Sequence, residues 1–311
     1  MPPQLNETHR RLIMRERKNG KNERYRGAMP RSTGWRQVRF YADVKRTRAR
    51  TALGMVELVF HGAVHNVRKT HTSAVIGLVL NLVQMVIMIA FFYLMMTFAG
   101  MRGVSIRGDY VLFLMSGIFM FMTHVKTMRA VMTADGPTSA IMKHAPMNTL
   151  IAVAAAALGA LYLQIFSAAI VLYLYHAIMA PLTIDQPVGM MAMLLLAWGT
   201  GLGIGMMFRA ATPWQPRFFG TVASIYSRLN MIASGKMFVA NAMPTAVLAF
   251  FDWNPLFHVI DQGRGYIFLN YAPRYSSLEY PVYVMLVCMT IGLIGEYYTG
   301  KRVSLSWTMG K

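Results

Sequence analysis

Residues 233–268 read ASGKMFVANAMPTAVLAFFDWNPLFHVIDQGRGYIF. The stretch lies between a fifth apolar run and a sixth, and its reading decides the fold. It is apolar enough to lie at membrane depth. Yet Pro244, Asn254, Pro255 and the charges of Lys236, Asp252, Asp261 and Arg264 exclude one continuous helix facing lipid. Interrupted, partly polar backbone is tolerated in a bilayer only where protein buries it or where it lines a cavity. The expectation is a chain that builds a pathway, with this stretch in its outer part. Residues 242–251 are too few to cross and are flanked by breakers, so they read as a re-entrant or interfacial segment.

Composition agrees. The 311 residues are 55% hydrophobic and 14% charged, with mean hydropathy +0.40. Soluble domains carry about 25% charged residues, so an integral membrane protein is expected. The 28 Met fit a helical interior in which an unbranched thioether fills irregular gaps. The single cysteine, Cys288, excludes an intrachain disulfide. Residues 1–50 hold no apolar core of signal-peptide length, so the first span is expected to serve as its own insertion signal.

Working outward, six spans are expected at 74–99, 110–125, 150–178, 188–208, 218–239 and 282–298, each close to the ~20 residues a bilayer demands. Ahead of them, residues 51–73 form an amphipathic helix. Leu53, Val56, Phe60, Ala63, Val64 and Val67 fall on one face, with Glu57, His61, His65, Arg68 and Lys69 on the other. Such a helix lies along the interface. Glu57, His61 and His65 also have metal-site spacing, but no further ligand set accompanies them.

Residues 1–50 are a basic cytoplasmic arm, expected to be disordered. They hold 15 Lys+Arg against Glu7, Glu16, Glu23 and Asp43. Lipid headgroups suit such an arm better than nucleic acid, for which interleaved aromatics are too few. With sides alternating from the amino terminus, one side collects 26 of the 31 Lys+Arg, including those of the 301–311 tail. The positive-inside rule then puts both termini in the cytoplasm. No phosphate loop, dinucleotide fingerprint or H-E-x-x-H motif is present, so no cofactor is expected in this chain and energy would come from a partner or an ion gradient.

Residues 50–300 resemble the membrane permease of type-2 ABC exporters, most closely the branch exporting capsular polysaccharides and polyol-phosphate polymers. The residues that carry the resemblance are Ser234-Gly235 late in the fifth span, Pro244 nine residues after Gly235, and NPLFHVIDQGRGYIF (254–268) with its Arg264. Two features depart from the family: the basic extension is longer, and the surroundings of Arg264 in Gly263-Arg264-Gly265 are less bulky. The resemblance implies a homodimer of six-span subunits (74–300) in a bacterial inner membrane, with the path at the dimer interface. It also implies two cytoplasmic ATPase subunits that hold ATP and Mg. This chain would then be a transport subunit rather than an enzyme, moving a carbohydrate polymer.

Two sets of residues are expected to act. In 133–148, TADGPTSAIMKHAPMN, Asp135 and Thr138 are capping types, Pro137 suits a first helical position and Pro146 stops the element. The result is a two-turn helix offering Ile141 and Met142, with Lys143 and His144 beside them. In the resembling family a short helix here docks on the ATPase; the plainer reading is a capped turn. The second set is the path. Arg228 and Lys236 lie two helical turns apart and would share a face, either attracting an anionic polymer or, more plainly, snorkelling or pairing with Asp252 or Asp261. Tyr93, Trp253, Phe257 and Tyr266 could stack on sugars, and aromatics also gather at interfaces for amphipathic reasons. Asn254 and Arg264 complete the candidates, Asn254 with a structural role in turning the segment as its alternative. The rival functions are export of a lipid or drug by the same fold, a non-transporting scaffold, and a membrane transferase. The last calls for carboxylates or histidines gathered at one face, and these appear scattered along the sequence.

Overall fold

In hydrocarbon every backbone amide must find its partner within its own segment, and the long apolar runs accordingly fold as helices. The computed structural model describes residues 54–55, 57–64, 74–98, 109–136 and 149–308. Its helices are α1 (Ala74–Phe98), α2 (Tyr110–Met132), α3 (Thr149–Ile178), α4 (Pro187–Ala211), α5 (Pro216–Ala233), α6 (Thr245–Leu248), α7 (Pro255–Ile267) and α8 (Glu279–Thr308), with a 3₁₀ turn at Ala240–Ala242. No strand occurs among the described residues. Residues 57–64 are helical, and there Glu57 and His61 stand 3.8 Å apart on an exposed face. The basic arm and most of the 133–148 segment, from Pro137 onward, lie outside the described residues.

Local chemistry sets the helix ends. The Asp109 carboxylate accepts from the Val111 amide and caps α2. Proline opens α4, α5 and α7, where its missing N–H costs nothing. At the far end of α2, the Thr133 amide and hydroxyl both donate to the Arg129 carbonyl.

Five helices, α1 to α4 and α8, are long and apolar enough to cross a membrane. The second expected span was too short: α2 continues to Met132, past Lys126 and Arg129. The fifth expected span needs correction. α5 has 18 residues and stops at Ala233, about 27 Å of helix at 1.5 Å per residue. Ser234 then caps it and Gly235 turns the chain at φ +72°, a conformation other residues resist. The remainder, 236–239, is not helical, so Arg228 and Lys236 do not share a helix face.

The run GTGLGIG (199–205) of α4 shows why its glycines are there. Residues four apart share a face, while residues two apart point some 200° away from each other. A methyl on Gly201 would sit 2.5 Å from the His124 carbonyl oxygen of α2, and one on Gly205 2.8 Å from that of Met128. On the other face, a methyl on Gly199 would strike Met285 Sδ at 2.4 Å and one on Gly203 the Met285 carbonyl at 2.9 Å. α4 is therefore clasped backbone to backbone between α2 and α8. Gly292 and Gly295 of α8 answer in kind against Met206 and Ala210. Apolar lipid gives helices little hydrophobic reason to associate, so close packing and buried hydrogen bonds must do it. The bonds are present too. Asn81 of α1 donates to Ser167 at 2.8 Å and accepts from Gln164 at 3.1 Å, both on α3. Gln84 accepts from Lys126 of α2.

Candidate functional site

The stretch singled out by sequence folds as a turn, two short helical pieces and α7, and one side chain organises it. Arg264 is 1% exposed. Its guanidinium reaches back to the turn after α5 and donates to three carbonyls: Gly235 at 2.9 Å, Phe238 at 2.7 Å and Lys236 at 2.7 Å. Its flat face lies 3.8 Å from the centre of the Phe113 ring of α2. Of these three acceptors in a non-helical turn only the Gly235 carbonyl has a second donor, the Phe238 amide at 3.4 Å, and a planar fork with several N–H groups suits the set better than an ammonium.

Asn254 makes the second tie. Its Oδ1 accepts from the Leu256 amide and caps α7, while its Nδ2 donates to Asn230 Oδ1 and to the Ala233 carbonyl, both at 2.9 Å. Phe257 packs on Gly235, where a methyl would meet its ring at 2.7 Å, and its ring lies near those of Phe238 and Phe251. The small neighbours of Arg264 now have reasons. Gly263 clears Met120 of α2, and Gly265 clears Pro273.

Not every polar atom of the turn is satisfied: Ser234 Oγ and Arg264 Nε are buried without a hydrogen-bond partner, and Lys236 departs furthest. It is 1% exposed, and its Nζ has no hydrogen-bond partner. It points between aromatic rings, 3.5 Å from the centre of Phe121 and 4.7 Å from that of Phe92. Neither expected alternative holds, because the side chain does not snorkel and pairs with neither Asp252 nor Asp261. The turn at Gly235 sends it inward, where Gly117 of α2 leaves room for its stem.

Asp252 and His258 meet at the start of α7, with His258 Nε2 3.3 Å from the Asp252 carboxylate, while Asp261 lies mid-helix. Asp261 accepts from the Tyr271 hydroxyl and from Ser276 Oγ. Burial first, and then the Asp261 charge, push the Tyr271 hydroxyl above its ordinary range, so it stays a donor. His258 Nδ1 accepts from the Ser277 amide at 3.1 Å, leaving Nε2–H to donate to the Asp252 carbonyl at 2.7 Å. Tyr280 donates to the Trp253 carbonyl. Asp261 and His258 thus tie the loop after α7 back to that helix, and Tyr280 of α8 holds Trp253 just ahead of it.

The eight path candidates therefore divide. Lys236, Asn254, Phe257 and Arg264 are buried within the chain; Tyr93 and Tyr266 are half-buried; Arg228 and Trp253 are exposed, Trp253 at 54%. A buried side chain cannot touch a polymer in this conformation, so the first four read as the frame of the segment. Of the 133–148 candidates only Asp135 is among the described residues. Pro137, Thr138, Ile141, Met142, Lys143 and His144 are not.

Two buried polar groups escaped sequence reasoning. His124 of α2 is fully buried and bonded on both sides, to Thr200 of α4 and Tyr226 of α5, each at 3.0 Å. Thr200 donates to the Ala197 carbonyl, so its oxygen accepts from Nδ1–H and Nε2 accepts from Tyr226. Arg209, counted from sequence only as a cytoplasmic charge, is 6% exposed and faces Glu296 of α8. A charge or histidine embedded in an apolar run was the available signal; its partners, dozens of residues away, were not. No protein-family model matches the chain, and no curated protein matches it.

Proposed function

We propose that this chain is the membrane permease of a polymer exporter powered by a separate ATP-hydrolysing subunit. The observation that carries the reading is the internally braced, interrupted segment between α5 and α8, held at Arg264 and Asn254 in a chain whose long helices suit a bilayer. Backbone of that kind at membrane depth needs protein or water around it.

On this reading α5 is the fifth of six spans, nearly matching a ~30 Å hydrocarbon core. Residues 242–267 are re-entrant, 51–73 lie along the interface, and both termini face the cytoplasm of a bacterial inner membrane. Two copies frame the path. The cargo is an anionic carbohydrate polymer that meets Arg228 and Trp253, the exposed members of the candidate set, together with Tyr93 and Tyr266. The partner ATPase holds ATP and Mg and docks at 135–144, with Ile141 and Met142 as the apolar contact.

Deleting the gene and analysing surface polymer chemically tests cargo and direction together. The expected result is loss of one surface polymer with its accumulation inside the cell. Restoration by the parent chain but not by Ile141→Asp/Met142→Asp locates the docking site. An unchanged surface in the deletion strain removes the proposal, and a changed lipid in place of a polymer redirects it to the rival cargo.

A further inference from the structure

Arg209 lies in the last turn of α4, beside the point where α2 ends and hands the chain to the 133–148 segment. Its two terminal nitrogens donate to the carbonyls of Ala134 and Asp135, the latter at 3.0 Å. These carbonyls lie just past the Thr133 cap of α2, where no intrahelical donor remains and a cation is favoured. On its other side, Nε faces the Glu296 carboxylate of α8 across 3.4 Å. One guanidinium thus bridges three helices at one level. Nearby, Thr299 of α8 donates to the Ala210 carbonyl of α4 at 3.1 Å, and Gly295 allows α8 to lie against Ala210. The glycine contacts of α4 with α2 and α8 continue the same joint along the helices.

We propose that Arg209 is a positioning residue that fixes the outgoing end of α2 to α4 and α8, so that a displacement at Asp135 is carried to α8. Val131 of α2, Leu202 and Met206 of α4 and Met289 of α8 also cluster here, but as apolar packing, which fixes the chain leaving α2 less directly than hydrogen bonds to its carbonyls. The inference deepens the exporter reading and rests on it for the source of the displacement, a nucleotide-driven partner at the 135–144 segment. The joint itself belongs to this chain alone.

The test uses the full chain in lipid nanodiscs, with spin labels at Gly136→Cys and Tyr298→Cys in a Cys288→Ser background. Gly136 has open space for a side chain, and Tyr298 is 62% exposed. The parent should give a single narrow distance distribution. Arg209→Ala should lose it, Arg209→Lys should restore part of it, and Glu296→Gln, which frees only the α8 arm, should fall between. If Arg209→Ala does not fold, Arg209→Gln carries the same comparison. An unaltered narrow distribution in the alanine or glutamine variant overturns the proposal.

With the partner ATPase bound, a fluorophore at position 298 should respond to ATP in the parent. The response should vanish in the Arg209 variant at unchanged melting temperature and unchanged hydrolysis. A persisting response overturns the inference and leaves the exporter reading intact. Conversely, a chain that binds no ATPase yet loses its narrow distribution in Arg209→Ala keeps the joint and refutes the exporter reading.

Discussion

Along α2, Gly117 faces the Arg264 turn and His124 faces the glycine seam of α4, and the two contacts are made by different physics. Each needs a missing side chain. A methyl on Gly117 would meet Lys236 Cβ at 2.7 Å, and one on Gly201 would meet the His124 carbonyl at 2.5 Å. The seam, however, joins two complete helices whose amides are already bonded, so for the backbone only van der Waals fit is at stake, the His124–Thr200 bond being made by side chains. The turn leaves carbonyls without helical donors, and one guanidinium supplies three of them. Buried regular backbone thus asks its neighbour for room, whereas buried irregular backbone asks for donors.

That contrast can be broken or sharpened by substitution, measured as reversible unfolding in mixed micelles. Arg264→Ala should be the most damaging, on the order of 4 kcal/mol, because several buried acceptors lose their donor together. Arg264→Lys should recover only part of this, lacking the fork. A loss below that of the glycine variants would refute the polar account of the turn. Gly201→Ala comes next, at about 1–3 kcal/mol, the cost of overpacking where the opposing atom is backbone and cannot swing aside. A neutral result would mean the seam is looser than its distances state.

Asn254→Ala should cost about 1–2 kcal/mol for the lost cap of α7, with Asn254→Asp keeping the cap but not the bonds to Asn230 and Ala233. Equal losses in the two variants would assign the whole effect to the bonds with Asn230 and Ala233 and none of it to the cap. The smallest effect is expected at Lys236→Met, within about 1 kcal/mol of the parent or more stable, since an ammonium without hydrogen bonds gives way to an apolar chain of similar length. A large loss there would show that the contacts with Phe121 and Phe92 carry weight the geometry does not suggest.

The same contrast explains what sequence could tell. Apolar runs fixed α1, α3, α4 and α8 to within a few residues at most ends, because length and composition are local properties. The division of the α4 glycines between two faces depends on which helices lie on either side, which is not a local property. The fifth span was overrun because 236–239 is as apolar as a helix end; only the positive φ at Gly235 turns it away. Ser234-Gly235 and Asn254-Pro255 marked the segment correctly, yet Arg264 and Lys236 could not be told apart by residue type. One finds three carbonyls and the other finds two rings, and that depends on contacts some thirty and more than a hundred residues distant. His124 and Arg209 were missed for the same reason.

The most direct trial of the whole account is ATP hydrolysis by material purified from native membranes through a tag on this chain. The account predicts that a separate subunit with a phosphate-loop motif co-purifies, that the complex hydrolyses ATP, and that Ile141→Asp/Met142→Asp removes the subunit while the tagged chain stays folded. A pure, folded chain that carries its cargo with no such companion would contradict it.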